Sequence, residues 1–277
     1  MFELELHHDP ATFARAVGGW LSEREAENAL LLGLLATLPA SPVMLRVTSA
    51  GQTVFAALDG GHNLIVSRGT AAAVEAAAAR LSELPLAPPG VVGPAAAAEQ
   101  FARAWARARG CAFELAVDQR IYELTEVKPP PPVPGAMRPV LPAELELVAA
   151  WGVAFDAESL PPHERRTLEQ ARELMARRTA AGELFGWAVA GQLVTMAGLA
   201  RPTARTISVN AVYTPPAHRR RGHATALVAA ISAEGLRRGK SACVLYTDLA
   251  NPTSNAIYQK IGYRAVCDSR HYVFVRS

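Results

Sequence analysis

The chain has 277 residues, 50% of them hydrophobic and 19% charged, which supplies one or two globular cores and excludes a wholly disordered chain. The formal net charge is only +3 but unevenly spread. Up to Gly135 there are 10 Lys and Arg against 14 Asp and Glu, and beyond it 18 against 11, so an anionic ligand is expected in the C-terminal part alone.

Cys111, Cys243 and Cys267 are scattered in apolar sequence, fit neither a disulfide framework nor a metal spacing, and read as buried structural thiols. Glu3, Glu5 and Asp9 stand where a signal peptide needs positive charge, and the apolar run 29–38 is too short to span a bilayer. A cytoplasmic location is expected, with no membrane partner and no metal.

Helical spacing is expected over residues 9–18 and 22–38, then strands over 43–47, 53–58 and 63–66, with turn chemistry in "LDGG". An alanine-rich helix over 70–84 and a second over 95–109 flank the punctuation "PPGVVGP". Strands over 112–117 and 121–127 close this half. "KPPPPVPGAMRP" (128–139) has too many prolines for a helix or a central strand, so it reads as a stiff connector and a domain boundary. The domains are then 1–130 and 136–277.

Beyond the connector a strand is expected over 137–141 and a helix over 142–157, with Leu145, Val148, Trp151 and Phe155 on one face. A helix over 163–180 turns Leu168, Ala171, Leu174 and Met175 inward. Strands follow over 185–189, 192–200 and 206–213, then a helix over 224–238 ended by Gly239, and a strand over 242–248. A short helix to Ile261 precedes closing strands to Phe274. The two halves repeat one element order: helix pair, antiparallel strands, helix, strand, helix, strands. The expected fold class is therefore α/β (α+β), with two similar domains in tandem.

"PPAHRRRGHATALV" (215–228) admits three readings: a nucleic-acid patch, a solvated loop or a phosphate cradle. A nucleic-acid surface needs basic residues continuing along a face with aromatics or a reading helix, and here the charge stops at Gly222. A strand running through a glycine loop into a helix N-terminus is an anion site, because free backbone N–H groups and the helix dipole both face the loop. Arg219, Arg220 and Arg221 would add charge-assisted contacts, Gly222 close backbone approach, and Ala224 an uncrowded first turn. A second motif, "NPTSNAIYQKIGY" (251–263), starts with Asn251 as N-cap and Pro252 at the first helical position. Asn251, Asn255 and Tyr258 share one helical face by spacing, with Ile257 and Ile261 expected opposite, towards the core. A half-buried core tyrosine is the plainer reading of Tyr258.

Taken together these stretches resemble the GNAT superfamily of acyl-CoA-dependent N-acyltransferases. The family pattern Gln/Arg-x-x-Gly-x-Gly/Ala is met by Arg219, Gly222 and Ala224. Asn251 stands seven residues before Tyr258, followed by Lys260, Gly262 and Tyr263. The resemblance covers residues 135–277, and the first half resembles the degenerate copy seen in tandem members, including relatives of glycine N-acyltransferases. "VVGPAAAAEQF" (91–101) is taken as the nearest counterpart of the cradle there, with no cluster of donors and no cofactor expected.

The resemblance implies two tandem GNAT-like domains, each a mixed, mostly antiparallel sheet flanked by helices, in a monomer with pseudo-dimeric halves. It implies acetyl-CoA in a gap between splayed strands, pantetheine along Val212, Tyr213 and Thr214, and diphosphate on the backbone from Arg220 through His223 and Ala224 to Thr225. A primary amine, small-molecule or peptide, attacks the thioester directly, with Tyr258 as general acid and Asn251 and Asn255 as positioning groups. Many members carry a Glu on the strand before the loop. Here that strand has Asn210, and Asp248 is the best carboxylate for the amine proton, directly or through water. The competing reading is an acyl-CoA-binding sensor or scaffold.

Overall fold

The computed structural model describes residues 1–35, 38, 42–59 and 62–275, with no account of the His163 side chain. The chain forms two compact units. One comprises 1–121, 248–250 and 265–277, and the other 122–247 and 251–264.

Unit 1 contains β1 (Phe2–His7), α1 (Pro10–Ser22), α2 (Ala29–Leu34), β2 (Val43–Ser49), β3 (Gln52–Asp59), β4 (Leu64–Val66), α3 (Ala71–Ser82), β5 (Gly90–Pro94), α4 (Ala95–Arg109) and most of β6 (Ala112–Leu124). Pairing runs antiparallel from β1 to β4, parallel from β4 to β5, and antiparallel from β5 to the final strand β12 (Arg264–Val275). Both faces of this sheet are covered. Phe55, Leu45 and Val47 meet Ala77, Phe101 and Trp105 of α3 and α4, whereas Leu58, Met44 and Ala56 meet Phe13, Val17 and Leu21 of α1. Consecutive residues 55–58 of β3 are accordingly all buried, the pattern of a strand with no solvent face.

Unit 2 contains β7 (Ala136–Pro139), α5 (Leu145–Ser159), α6 (Leu168–Ala180), β8 (Leu184–Val189), β9 (Gln192–Ala200), β10 (Thr206–Tyr213), α7 (His223–Arg237), β11 (Ala242–Asp248, its last residue counted with unit 1) and α8 (Pro252–Lys260). Strands β7 to β10 pair antiparallel and β10 with β11 parallel, the same succession as β1 to β5. One face packs Val148, Trp151, Met175 and Met196 under α5 and α6. The other packs Leu199, Val209, Leu227, Ile231 and Leu245 under α7, with Tyr258 and Ile261 of α8. No helix among the described residues is long and apolar enough to cross a membrane.

Several expectations are corrected. β1 and β5 are strands beyond the expected set: FELELH carries the acidic residues of the N-terminus and GVVGP follows two prolines. The helix expected over 22–38 begins at Ala29, the residues before it being turns. Part of that expectation and part of "LDGG" lie outside the described residues. β6 is one strand where two were expected, α6 starts at Leu168, and Leu168 is exposed. From Ala265 onward the closing strand joins unit 1, where its Tyr272 enters the core and Ser269 Oγ donates to the Gly93 carbonyl (3.0 Å). The stretch "VVGPAAAAEQF" spans β5 and the start of α4, not the link after the fourth strand of the unit. By element order the strand-to-helix link in the same place is the short one between β4 and α3, where a Cβ on Gly69 would stand 2.8 Å from Phe55 Cδ2. Of the cysteines, only Cys243 is fully buried, and burial pushes its thiol up to about 12; Cys111 and Cys267 are half-buried.

Candidate functional site

Strands β10 and β11 run in parallel register from Thr206–Ala242 to Ser208–Val244, after which β10 continues to Tyr213 and β11 to Asp248 without further register pairs. On its other side β10 slips against β9, with Asn210 opposite Gly198 and Tyr213 opposite Met196. The extra residue makes a β-bulge, and Ala211 within it has φ 50, a conformation that a non-glycine residue adopts only under constraint. The bulge leaves the main chain of Ala211 and Val212 outside the ladder, beside the opened parallel pair. The far end is fastened to β9: Thr195 Oγ1 donates to the Tyr213 carbonyl (2.8 Å) and accepts from Thr214 Oγ1 (2.8 Å). Thr195→Val keeps the shape but orphans a buried carbonyl, so unfolding free energy is expected to fall by about 1–3 kcal/mol. Urea denaturation measures it, and a loss below half a kcal/mol would show that the fastening is dispensable.

After β10, a single helical turn (Pro216–His218) leads into the loop. Arg220 (φ 62) and Gly222 (φ 80) are both left-handed, a chain reversal that gathers successive N–H groups on a concave side. Helix geometry then leaves the N–H groups of His223, Ala224 and Thr225 without an intrahelical acceptor, the first main-chain bond back being Ala226 N–H to the Gly222 carbonyl (3.0 Å). Arg220 and Arg221 are exposed. The Arg219 guanidinium is turned elsewhere, donating to the Thr214 carbonyl (2.8 Å) and to both oxygens of Glu158 on α5 (2.7 and 2.9 Å). It pins the loop to α5, leaving its backbone as its link to the cradle. His223 is buried. Burial first, then Arg221 and His218, hold its imidazole below the ordinary histidine range.

On α8, Asn251 caps the helix, its Oδ1 accepting from Ser254 N–H (3.0 Å). Asn255 Nδ2 donates to the Asn251 carbonyl (2.8 Å), and its Oδ1 accepts from the Tyr122 hydroxyl (3.1 Å), which in turn accepts from Gln259 (3.1 Å). Tyr258 is 7% exposed and does not stand opposite the core. It lies in it with Ile261, three residues on and hence on the same helical face. Its cluster includes Val209 of β10 and Leu245 of β11, with Val212 packed against it. Burial raises the phenol to about 12, opposed by a hydrogen bond with Ser254, so it is a protonated donor at neutral pH. Asp248, at the exposed end of β11, accepts from Ala250 N–H (2.8 Å) in a tight turn.

The α5–α6 face of β9 and β10 carries a group that sequence reasoning missed. Arg178 of α6 is 9% exposed and lies flat over Gly198, where a Cβ would stand 2.6 Å from its Cζ. Its Nη2 donates to Asn210 Oδ1 (2.7 Å), at the entrance to the bulge. Burial brings this guanidinium down to about 10; Glu183 opposes the shift, and Arg201 and Arg166 add to it. Burial likewise lowers Arg201. Asp156, 0% exposed, is taken by the Arg166 main-chain N–H (3.2 Å) and guanidinium. The only local signal for this cluster was a glycine in a strand, which marks a close approach.

Trp151 belongs to the core near Tyr213, and Trp187 Nε1 donates to the Pro134 carbonyl (2.8 Å). Among the described residues no group of His, Cys, Asp and Glu has the geometry of a metal site.

Residues 190–275 match the family model described as FR47-like protein. Solved structures of GNAT acetyltransferases align along nearly the whole chain. A GCN5-related N-acetyltransferase from Sphaerobacter thermophilus is 18% identical with a TM-score of 0.62, covering 100% of this chain and 96% of that one. A tandem GNAT protein from the clavulanic acid biosynthesis pathway is 18% identical with a TM-score of 0.58, over 99% and 98% of the two chains. A Drosophila protein is 15% identical with a TM-score of 0.68, over 98% of each. No curated protein matches the chain. At these identities the likeness is one of fold: a mixed sheet flanked by helices, of the GNAT acetyltransferase type.

Proposed function

We propose that this protein is an acyl-CoA-dependent N-acyltransferase, using acetyl-CoA to acylate a primary amine by direct attack. The observation that carries the reading is the opened β10–β11 pair with its bulge at Ala211, leading into a left-handed loop and the start of α7. The donor set fits an acyl-CoA. Unpaired N–H groups of His223, Ala224 and Thr225, with exposed Arg220 and Arg221, suit a diphosphate. The strand edge from Val212 towards Thr214, beyond the last register pair with β11, suits an amide-bearing arm added like a strand.

In the reaction, the amine nitrogen attacks the thioester carbonyl carbon and the C–S bond breaks. A main-chain N–H at Val212 stabilises the oxyanion, supported by its release from the ladder. Tyr258, kept protonated by burial, donates a hydrogen bond to the departing thiolate. Asn251 and Asn255 hold α8 and, through Tyr122, the ring's surroundings. Asp248, solvent-exposed at the end of β11, receives the amine proton through water.

The shared succession of elements supports two tandem GNAT-like copies, as does the tandem solved structure. Unit 2 is the copy with the cofactor loop, so titration calorimetry is expected to give one CoA per chain, and two tight sites would place a second cradle in unit 1. The activity test is thiol release from acetyl-CoA with a panel of amines. Tight CoA binding without release for any amine would replace this reading by a sensor.

A further inference from the structure

We propose that the face of the sheet beneath α6 holds a subsite for an anionic group of the acceptor, gripped by Arg178, so that the amine acylated here also carries a carboxylate or phosphate. The inference deepens the acyl-transfer reading and rests on it.

Arg178 is an expensive residue where it stands. A guanidinium removed from water needs compensation by charge and hydrogen bonds together. Its one direct hydrogen bond to a side chain is to a neutral amide, Asn210, at 2.7 Å. The nearest carboxylate, Glu183, is 4.0 Å from Nε, beyond hydrogen-bond reach, and that Nε is buried with no partner among the described residues. Asp156 is committed to Arg166. Arg166 and Arg201 also carry a buried Nε without a partner among the described residues. This part of the unit therefore holds more guanidinium charge and more donors than its own acceptors use. The planar fork of arginine suits the two oxygens of a carboxylate or phosphate.

The position fits an acceptor. Gly198 makes room for the guanidinium, since any Cβ there would collide with it. Its partner Asn210 enters the bulge two residues before Val212. Two residues of regular strand span roughly 6–7 Å, and across a bulge with a left-handed Ala211 the span is shorter. An anion held at Arg178 would thus stand beside the stretch of β10 that leads to Val212. The recognised class is a compact zwitterion, in preference to a polyamine, whose cationic tail Arg178 would repel.

The test compares amino acids with their own carboxamides, an aminoalkyl phosphate and a polyamine in the thiol-release assay. The expected result is kcat/KM at least tenfold higher for the anionic acceptors than for their neutral counterparts. The phosphate and carboxylate arms identify which anion is used. Arg178→Gln should bring the acid-to-amide ratio near one, chiefly through KM. Gly198→Ala, which displaces the guanidinium while keeping its charge, should move the ratio the same way. Turnover of amides or polyamines as fast as acids, or an equal loss on both in Arg178→Gln, would overturn the subsite and leave acyl transfer standing. No thiol release from any amine would instead count against acyl transfer. In that event acetate, added with CoA present, decides the subsite. A rise in Tm of about 3 °C in the native chain that is absent in Arg178→Gln supports it, and equal shifts overturn it.

Discussion

Tyr258→Phe is expected to lower turnover by about one to three decades while leaving acetyl-CoA affinity unchanged. The phenol is raised to about 12, whereas an ordinary thiol titrates near 8.5, so full proton transfer to a thiolate is uphill by roughly 5 kcal/mol. The hydroxyl therefore acts by donating a hydrogen bond as charge develops on sulfur, an interaction made mainly in the transition state. Because the ring is core, its oxygen also contributes to folding through Ser254, a loss on the order of 1 kcal/mol. Stopped-turnover measurements alongside thermal melts separate the two. Full activity in the phenylalanine variant would hand the donor role to solvent.

Gly222→Glu should weaken acetyl-CoA binding at least tenfold, since a carboxylate at the start of α7 would meet the diphosphate at close range. The substitution also has a structural cost. At φ 80 a side chain is strained by about 1–2 kcal/mol, and its Cβ would stand 2.9 Å from Val133 Cγ1 of the proline connector. Gly222→Ala carries both penalties without the charge and is the proper reference. Calorimetry on the pair isolates the electrostatic effect, and equal affinities for alanine and glutamate would remove the cradle from the diphosphate's path.

The cradle and α8 were legible because their signals are local. Asn251 and Pro252 announce a helix start, and the Arg219–Gly222–Ala224 spacing announces a loop closing on a helix. The placement of Tyr258 was less legible. Spacing put it on a polar stripe with Asn251 and Asn255, but the stripe is broad, and Ile261 on the same turn pulls the ring into the core. The bulge at Ala211 left no trace in "ISVNAVYT", since nothing in alanine demands a positive φ; the mismatch of β10 against β9 imposes it. Arg178 was invisible for a related reason. Its helix reads as charged surface, and only Gly198, on a different strand, makes a berth for the guanidinium. β5 escaped because its partners are far away in sequence: β4 on one side and β12 on the other.

The return of residues 265–275 to the first unit sets the order of events during synthesis. Everything up to residue 264 can emerge from the ribosome while β5 still presents an open edge, since the strand that covers it is made after all of unit 2. An unpaired edge of that kind invites pairing with foreign chains. Vectorial folding therefore cannot finish the first-made unit first. Its last strand arrives only after the 143 residues from 122 to 264 have been translated, a wait of roughly 7–29 s at typical elongation rates. For the same reason, no single proteolytic cut in the proline connector yields two self-sufficient pieces: one lacks a strand and the other carries it as an unpaired tail.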